Sequence, residues 1–293
     1  MPYNNKKTQP PIVLRDIMPS MYQSYYQLKE TPFNITADPQ FFFFSSRHSE
    51  AFSHLLYGIK QRKGIIVVTG EIGTGKTTLC RMLLDRLDDH IKTALILNPN
   101  FSDIQLLQLI LKDLGIPTTS KNKFTLIDAL NTFLLKETSQ GHNVAVIIDE
   151  AQNLKPRQLE QIRLLSNLET EKAKLLQIIL VGQPELLEKL RLPSLRQLNQ
   201  RVSVRYHMMP LGKEELRNYI YHRLNVARLP DQPGDTWVQF TEEAIDLIYE
   251  VSGGLPRVIN ILCDRALLAG FVAGTQRIDT TIINQCTQEM MLV

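Results

Sequence analysis

The chain has 293 residues, 43% hydrophobic and 22% charged, with 14 glycines and 15 prolines. That balance belongs to a soluble globular protein with one large core, or a core domain and a smaller satellite, and it excludes disorder over most of the length. Thirty-three lysines and arginines against 30 acids leave a formal charge of +3, too mild to demand nucleic acid or an acidic membrane. No apolar run approaches the roughly eighteen residues of a membrane span, so no intrinsic span is expected. The opening MPYNNKKTQPP lacks the apolar stretch of a secretory signal. Cys80, Cys263 and Cys286 share no close spacing and read as small buried hydrophobes, which points to a reducing, cytoplasmic setting.

Residues 1–20 gather Pro2, Pro10, Pro11 and Pro19 among polar residues and read as a flexible leader. From Met21 aromatics crowd: Tyr22, Tyr25, Tyr26 and Phe33 precede the run Phe41–Phe44, expected to be buried against a core. Ser46–Gln61 reads as a helix, with Ala51, Leu55 and Ile59 spaced by four. Ile65–Thr69 is an apolar, β-branched run ending at Gly70, a buried strand that meets a tight turn. A helix over Lys76–Leu87 leads to a strand at Thr93–Leu97, then to helices at Asp103–Leu114 and Thr125–Lys136. Strand Val144–Ile148 precedes a helix around Pro156–Leu168. Strand Leu176–Val181 precedes a helix from Pro184, and Val202–Tyr206 makes a fifth strand. Strands alternating with helices predict an α/β fold whose parallel sheet is covered on both faces. After Pro210 the strands stop, and Lys213–Ala227, Glu242–Val251, Pro256–Ala269 and Thr280–Met290 read as helices around a loop at Leu229–Gly234. Residues 21–210 are therefore expected to form an α/β nucleotide-binding domain and 211–293 a helical domain.

The segment Gly70, Glu71, Ile72, Gly73, Thr74, Gly75, Lys76, Thr77 matches G-x-x-x-x-G-K-[ST], and Thr78 completes the candidate nucleotide-binding set. Glycines let the backbone curl so that successive N–H groups face phosphate oxygens. Lys76 adds a point charge for the β- and γ-phosphates, and the Thr77 hydroxyl is a ligand for Mg²⁺. The helix that opens there offers its positive end to the same anion. A chance match in a chain of this length arises roughly one time in a hundred at average residue usage, and a strand before it and a helix after it supply the context the motif needs. The strand at 144–148 then delivers Asp149 and Glu150 to the sheet's carboxyl edge, where ligands of open α/β folds bind. Asp149 would hold Mg²⁺ through water, and Glu150 would orient and deprotonate an attacking water.

These residues resemble the AAA+ ATPases, and among them the ExeA/GspA type associated with general (type II) secretion. The likeness is carried by YYQLKETPFNITADPQFFFFSSRHSEAFSHLLYGI, VVTGEIGTGKTTLCRMLL, VAVIIDEAQNL, LVGQPEL, LRQLNQRVSVRYHMMPL and SGGLPRVINILCDRAL, in that order. It implies a P-loop core with a five-stranded parallel sheet followed by a helical lid. It implies that Gln183 occupies the sensor-1 position beside the γ-phosphate, where many AAA+ proteins have Asn, Ser or Thr. It implies that Arg201 is an arginine finger reaching a neighbouring subunit's γ-phosphate, with Arg196 as runner-up, and that Arg257 is the sensor-2 arginine. Arg257 in the first turn of a helix opposes the helix dipole, a cost that a facing phosphate would offset. The block Pro32–Arg47 is where the likeness points for adenine, without choosing among its aromatics.

Between Glu188 and Glu214 there is no acid but six cations: Lys189, Arg191, Arg196, Arg201, Arg205 and Lys213. Such a run expects an anion. The resemblance thus implies an ATP-hydrolysing homo-oligomer with shared active sites that assembles or remodels a secretion-related or membrane-associated protein partner. The sequence stops at Val293, without the membrane span and periplasmic peptidoglycan-binding region expected of the full secretion protein. The expectation is therefore a cytoplasmic protein reaching the inner membrane through a partner. The competing expectation is an ATP-dependent, DNA-binding regulator that recruits a transposase, compatible with the basic run and with Lys6 and Lys7.

Overall fold

Five parallel strands make one sheet in the computed structural model, which describes residues 22–291 apart from 98, 100, 172 and 230–236. The leader at 1–20 and nearly all of the loop at 229–234 fall outside the described residues. In chain order the elements of the first half are α1 (Ser46–Lys60), β1 (Ile65–Gly70), α2 (Lys76–Arg86), β2 (Ile91–Ile96), α3 (Asp103–Asp113), α4 (Lys123–Ser139) and β3 (Asn143–Ile148). They continue as α5 (Pro156–Leu165), β4 (Gln177–Gly182), α6 (Glu185–Leu190), α7 (Arg196–Arg201), β5 (Val202–Met208), α8 (Lys213–Ala227), β6 (Gln239–Phe240), α9 (Glu242–Ser252), α10 (Pro256–Val272), β7 (Arg277–Ile278) and α11 (Thr280–Met291).

The strand order is β2-β3-β4-β1-β5, with every neighbouring pair parallel. Because side chains alternate across a strand, β1 sends Ile65 and Val67 to one face and Ile66 and Val68 to the other. Ile65 and Val67 join Val146, Ile178 and Leu180 against α3, α4 and α5, while Ile66 and Val68 join Ile147, Ile179 and Val181 against α1 and α2. Both faces are covered, which is why β1, β3 and β4 read as continuous apolar runs. Each such side chain contributes about 1.5–3 kcal/mol by leaving water, so a charge at any of them would break the layer that holds the site. Phe41 and Phe42 are buried and Phe43 and Phe44 half-buried, in line with the expectation for the aromatic run. All three cysteines are buried and free.

The contacts divide the chain into an α/β unit, Thr36–Tyr219 with Ser252–Val258, and a second unit of residues 22–35, 220–251 and 259–291 among those described. This differs from a boundary at residue 210 with everything from 21 on the α/β side. In the second unit Leu28 bridges Arg228, the Lys29 N–H donates to the Ala227 carbonyl at 2.8 Å, and the Arg223 Nε–H donates to the Pro32 carbonyl at 2.6 Å. Tyr26 is 1% exposed and its hydroxyl donates to the carbonyls of Leu267 and Thr275. The early aromatics thus complete the helical unit, a pairing across some two hundred residues that no local pattern reveals. The expectation that strands end at Pro210 is corrected too: β6 and β7 pair in parallel, Gln239 with Arg277 and Phe240 with Ile278. Two residues are too few to display an alternation. Among the described residues no helix is long and apolar enough to cross a membrane.

Candidate nucleotide site

β1 is flanked by β4, and β4 by β3, so the residues that follow these three strands emerge side by side at one edge of the sheet. After β1 the chain must turn at once. A Cβ on Gly70 would lie 2.6 Å from the Met208 carbonyl oxygen, so only glycine lets β1 run this close to β5 before the turn. Gly75, at φ +93°, starts α2 in the left-handed region. Lys76 is the first helical residue and is 7% exposed. Its Nζ donates to the carbonyls of Gly70 and Glu71, both at 2.8 Å, and the Thr74 hydroxyl donates to Glu71 at 2.9 Å. The ammonium therefore closes the loop on itself. Glu71 and Ile72 are exposed at its rim, and Thr78 lies half-buried one residue beyond Thr77.

The hydroxyl of Thr77 donates to Asp149 Oδ2 at 2.5 Å, across the gap between α2 and the end of β3. Asp149 is 2% exposed, and burial raises its carboxyl above the ordinary range, opposed by the Thr77 hydroxyl and the Glu150 N–H. Burial likewise lowers the Lys76 ammonium, opposed by the carboxylates of Glu150 and Asp149. Glu150 has φ +52°, a left-handed conformation for a residue with a Cβ, and such strain of about 1–3 kcal/mol accumulates at functional sites. Its Oε2 accepts from the side-chain amides of Gln152 at 2.5 Å and Gln183 at 3.3 Å. Gln152 turns its own Oε1 to the Gln183 N–H at 3.1 Å. Asp149, Glu150 and Gln183 are thereby brought together with Lys76 and Thr77.

Arg257 is the second residue of α10, after Pro256, and its N–H donates to the Gly73 carbonyl at 3.2 Å. A Cβ on Gly73 would sit 2.6 Å from Arg257 Cβ, so the arginine stem runs along the loop. Arg201 lies elsewhere: its guanidinium donates to Ser166 Oγ at 3.3 Å and to Asn167 Oδ1, at the end of α5. The other cations of the basic run are dispersed. Lys189 donates to the carbonyls of Gln152 and Leu154, and Arg205 donates to the Asn199 carbonyl and amide oxygen, while Arg191 and Arg196 are exposed.

Two residues that sequence reasoning passed over belong to this site. Gln152 was visible only as a polar residue after the acidic pair. His48 follows the aromatic run, with no motif to mark it, yet its Nε2 lies 3.0 Å from the Thr74 carbonyl oxygen in the phosphate loop.

Residues 59–190 match the family model described as an AAA domain. General secretion pathway protein A of Aeromonas hydrophila is 43% identical over 259 residues, 88% of this chain and 46% of that protein. The chain thus spans less than half the length of that curated relative. A solved structure described as Drosophila ORC bound to DNA aligns with a TM-score of 0.69 at 19% identity, over 99% of this chain and 70% of the other. Cdc6p from Pyrobaculum aerophilum aligns with a TM-score of 0.64 at 16% identity, over 92% of this chain and 70% of the other. At these identities the structural likeness is one of fold, the P-loop AAA+ fold. The resemblance to AAA+ ATPases of the ExeA/GspA type, first seen in local motifs, extends over most of the chain.

Proposed function

We propose that this AAA+ chain of the ExeA/GspA type hydrolyses ATP to ADP and phosphate, and as a homo-oligomer uses that cycle to assemble or remodel a partner complex of general secretion. The reading is carried by one observation: the loop closed by Lys76, the Thr77–Asp149 contact and the Glu150–Gln152–Gln183 cluster meet at one edge of the sheet. The backbone N–H groups of Gly70–Thr78 and the Lys76 ammonium bind the phosphates. Glu150 takes a proton from the attacking water as its oxygen bonds to the γ-phosphorus and the bond to ADP breaks. The Gln183 amide orients that water, and Arg257, alongside Gly73, offsets charge on the γ-phosphate.

Thr77 and Asp149 would hold Mg²⁺, and they fit it. A hydroxyl and a carboxylate are hard oxygen ligands, and the described residues hold no cluster of three His, Cys, Asp or Glu that would favour another metal. When bound, the ion neutralises charge on the phosphates. Arg201, on the α/β unit but bonded to α5, serves a neighbouring subunit rather than its own nucleotide. The partner is a secretion or membrane-associated protein, which would hold the chain at the inner membrane from the cytoplasmic side.

The competing transposition reading leaned on the basic run. Lys189, Arg201 and Arg205 are bonded within the chain while Arg191 and Arg196 are exposed, and ATP-stimulated, salt-dependent binding of duplex DNA would favour that reading over secretion. Phosphate release from Mg·ATP by the purified chain, measured beside Lys76→Ala, tests the activity. Wild-type release no faster than that of Lys76→Ala would refute it.

A further inference from the structure

His48 is the third residue of α1, is 4% exposed, and belongs to no part of the phosphate motif. Its Nδ1 lies 2.6 Å from Ser45 Oγ and its Nε2 lies 3.0 Å from the Thr74 carbonyl oxygen. A carbonyl can only accept, so the proton sits on Nε2, and Nδ1 then accepts from the Ser45 hydroxyl. The same hydroxyl oxygen accepts the His48 backbone N–H at 3.1 Å, which caps α1. One neutral tautomer therefore satisfies both ring nitrogens, and burial, which lowers the imidazole below its ordinary value, favours that form.

The bond matters because of where Thr74 stands. Its carbonyl and the Gly75 N–H belong to one planar trans peptide, so they point in opposite directions. Fixing the carbonyl on His48 turns the Gly75 N–H to the side away from the ring. Gly75 is the left-handed residue that starts α2, and a Cβ there would lie 3.1 Å from His48 Nε2, so the imidazole is packed directly beneath this turn. Without a donor at Nε2, the buried Thr74 carbonyl would be relieved by rotating the peptide, which would carry the N–H with it.

We propose that His48 is a positioning residue for nucleotide: through the Thr74 carbonyl it holds the Gly75 N–H toward a phosphate oxygen of ATP or ADP. This rests on the ATPase reading above. The test compares wild type with His48→Gln, His48→Leu and Lys76→Ala. It uses ATP and ADP titrations, kcat and KM, and the melting midpoint without nucleotide. His48→Leu fills the ring's space but cannot donate. It should weaken both nucleotides about ten- to hundredfold, the scale set by orphaning one buried carbonyl, and raise KM with kcat little changed. His48→Gln presents an amide N–H to the same carbonyl and should recover most of the affinity. A histidine that merely supports the fold would lower the melting midpoint in both variants and leave affinity below that midpoint unmoved.

His48→Leu binding within threefold of wild type, while Lys76→Ala abolishes binding, would overturn the role of His48 and leave the ATPase reading standing. No nucleotide binding by wild type would overturn both.

Discussion

Replacing Glu150 by glutamine isolates the proton-accepting function of this side chain from its place in the structure. The two side chains have nearly the same shape, and the new amide oxygen can still accept from Gln152 and Gln183, which now approach Glu150 Oε2 at 2.5 and 3.3 Å. The left-handed backbone at φ +52° costs Glu and Gln alike, since neither is branched at Cβ. Stability should therefore change by no more than about 0.5 kcal/mol. Lys76 keeps its bonds to the Gly70 and Glu71 carbonyls and Thr77 its bond to Asp149, so affinity for Mg·ATP should stay within about threefold of wild type, or ~0.7 kcal/mol. What disappears is basicity. A positioned general base is worth about 10²–10⁴ in rate, which corresponds to about 2.7–5.4 kcal/mol at 1.36 kcal/mol per decade. Single-turnover phosphate release with protein in excess, beside a titration with nucleotide, separates the two effects. Release within threefold of wild type at unchanged affinity would remove Glu150 from the chemistry.

The remaining expectations test the surroundings of the site. Arg201→Ala should bind ATP normally and hydrolyse it about 10³-fold more slowly. Mixed with the equally inactive Lys76→Ala, it should regain activity that grows with protein concentration, whereas co-assembly without recovery would show that Arg201 does not act in trans. Gly73→Ala forces a Cβ to 2.6 Å from Arg257 Cβ at φ +85°, so urea unfolding should show a loss of about 1–3 kcal/mol, and a loss below half of that would contradict the packing. His48 titrates below its ordinary 6.5, so the unfolded chain binds the extra proton and stability falls as pH drops below that value. The Thr74 carbonyl bonded to the ring and then Glu215, whose carboxylate accepts from the Ser46 N–H and hydroxyl, oppose this shift. Melting midpoints of wild type and His48→Gln should converge as the pH falls below about 6.5, and parallel curves would exclude the titration.

What the sequence determined by itself is chemistry bound to local order. Glycines, Lys76 and Thr77 must lie within eight residues for one loop to surround a phosphate, so the motif is written contiguously. Likewise β1, β3 and β4 are buried at every position and apolar through Ile65–Val68, Val144–Ile148 and Ile178–Val181, because both faces of a parallel sheet are covered, and that pattern survives without partners. Asp149 and Glu150 were legible because the strand that carries them ends on them.

Tertiary structure alone decided which distant residues complete these parts. His48 lies inside a segment that carries the family resemblance, but nothing local assigns it a role, since that role depends on α1 packing beneath the turn at Gly75. Gln152 and Gln183 become a pair only because β3 and β4 are neighbours in the sheet. Tyr22–Ile35 joins the helical unit through bonds to α8 and α10. The basic run looks like one surface in the sequence, yet Lys189, Arg201 and Arg205 turn to different carbonyl, hydroxyl and amide oxygens. Charge and polarity can be read one residue at a time, but a hydrogen bond needs its partner's position, and that exists only once the chain has folded.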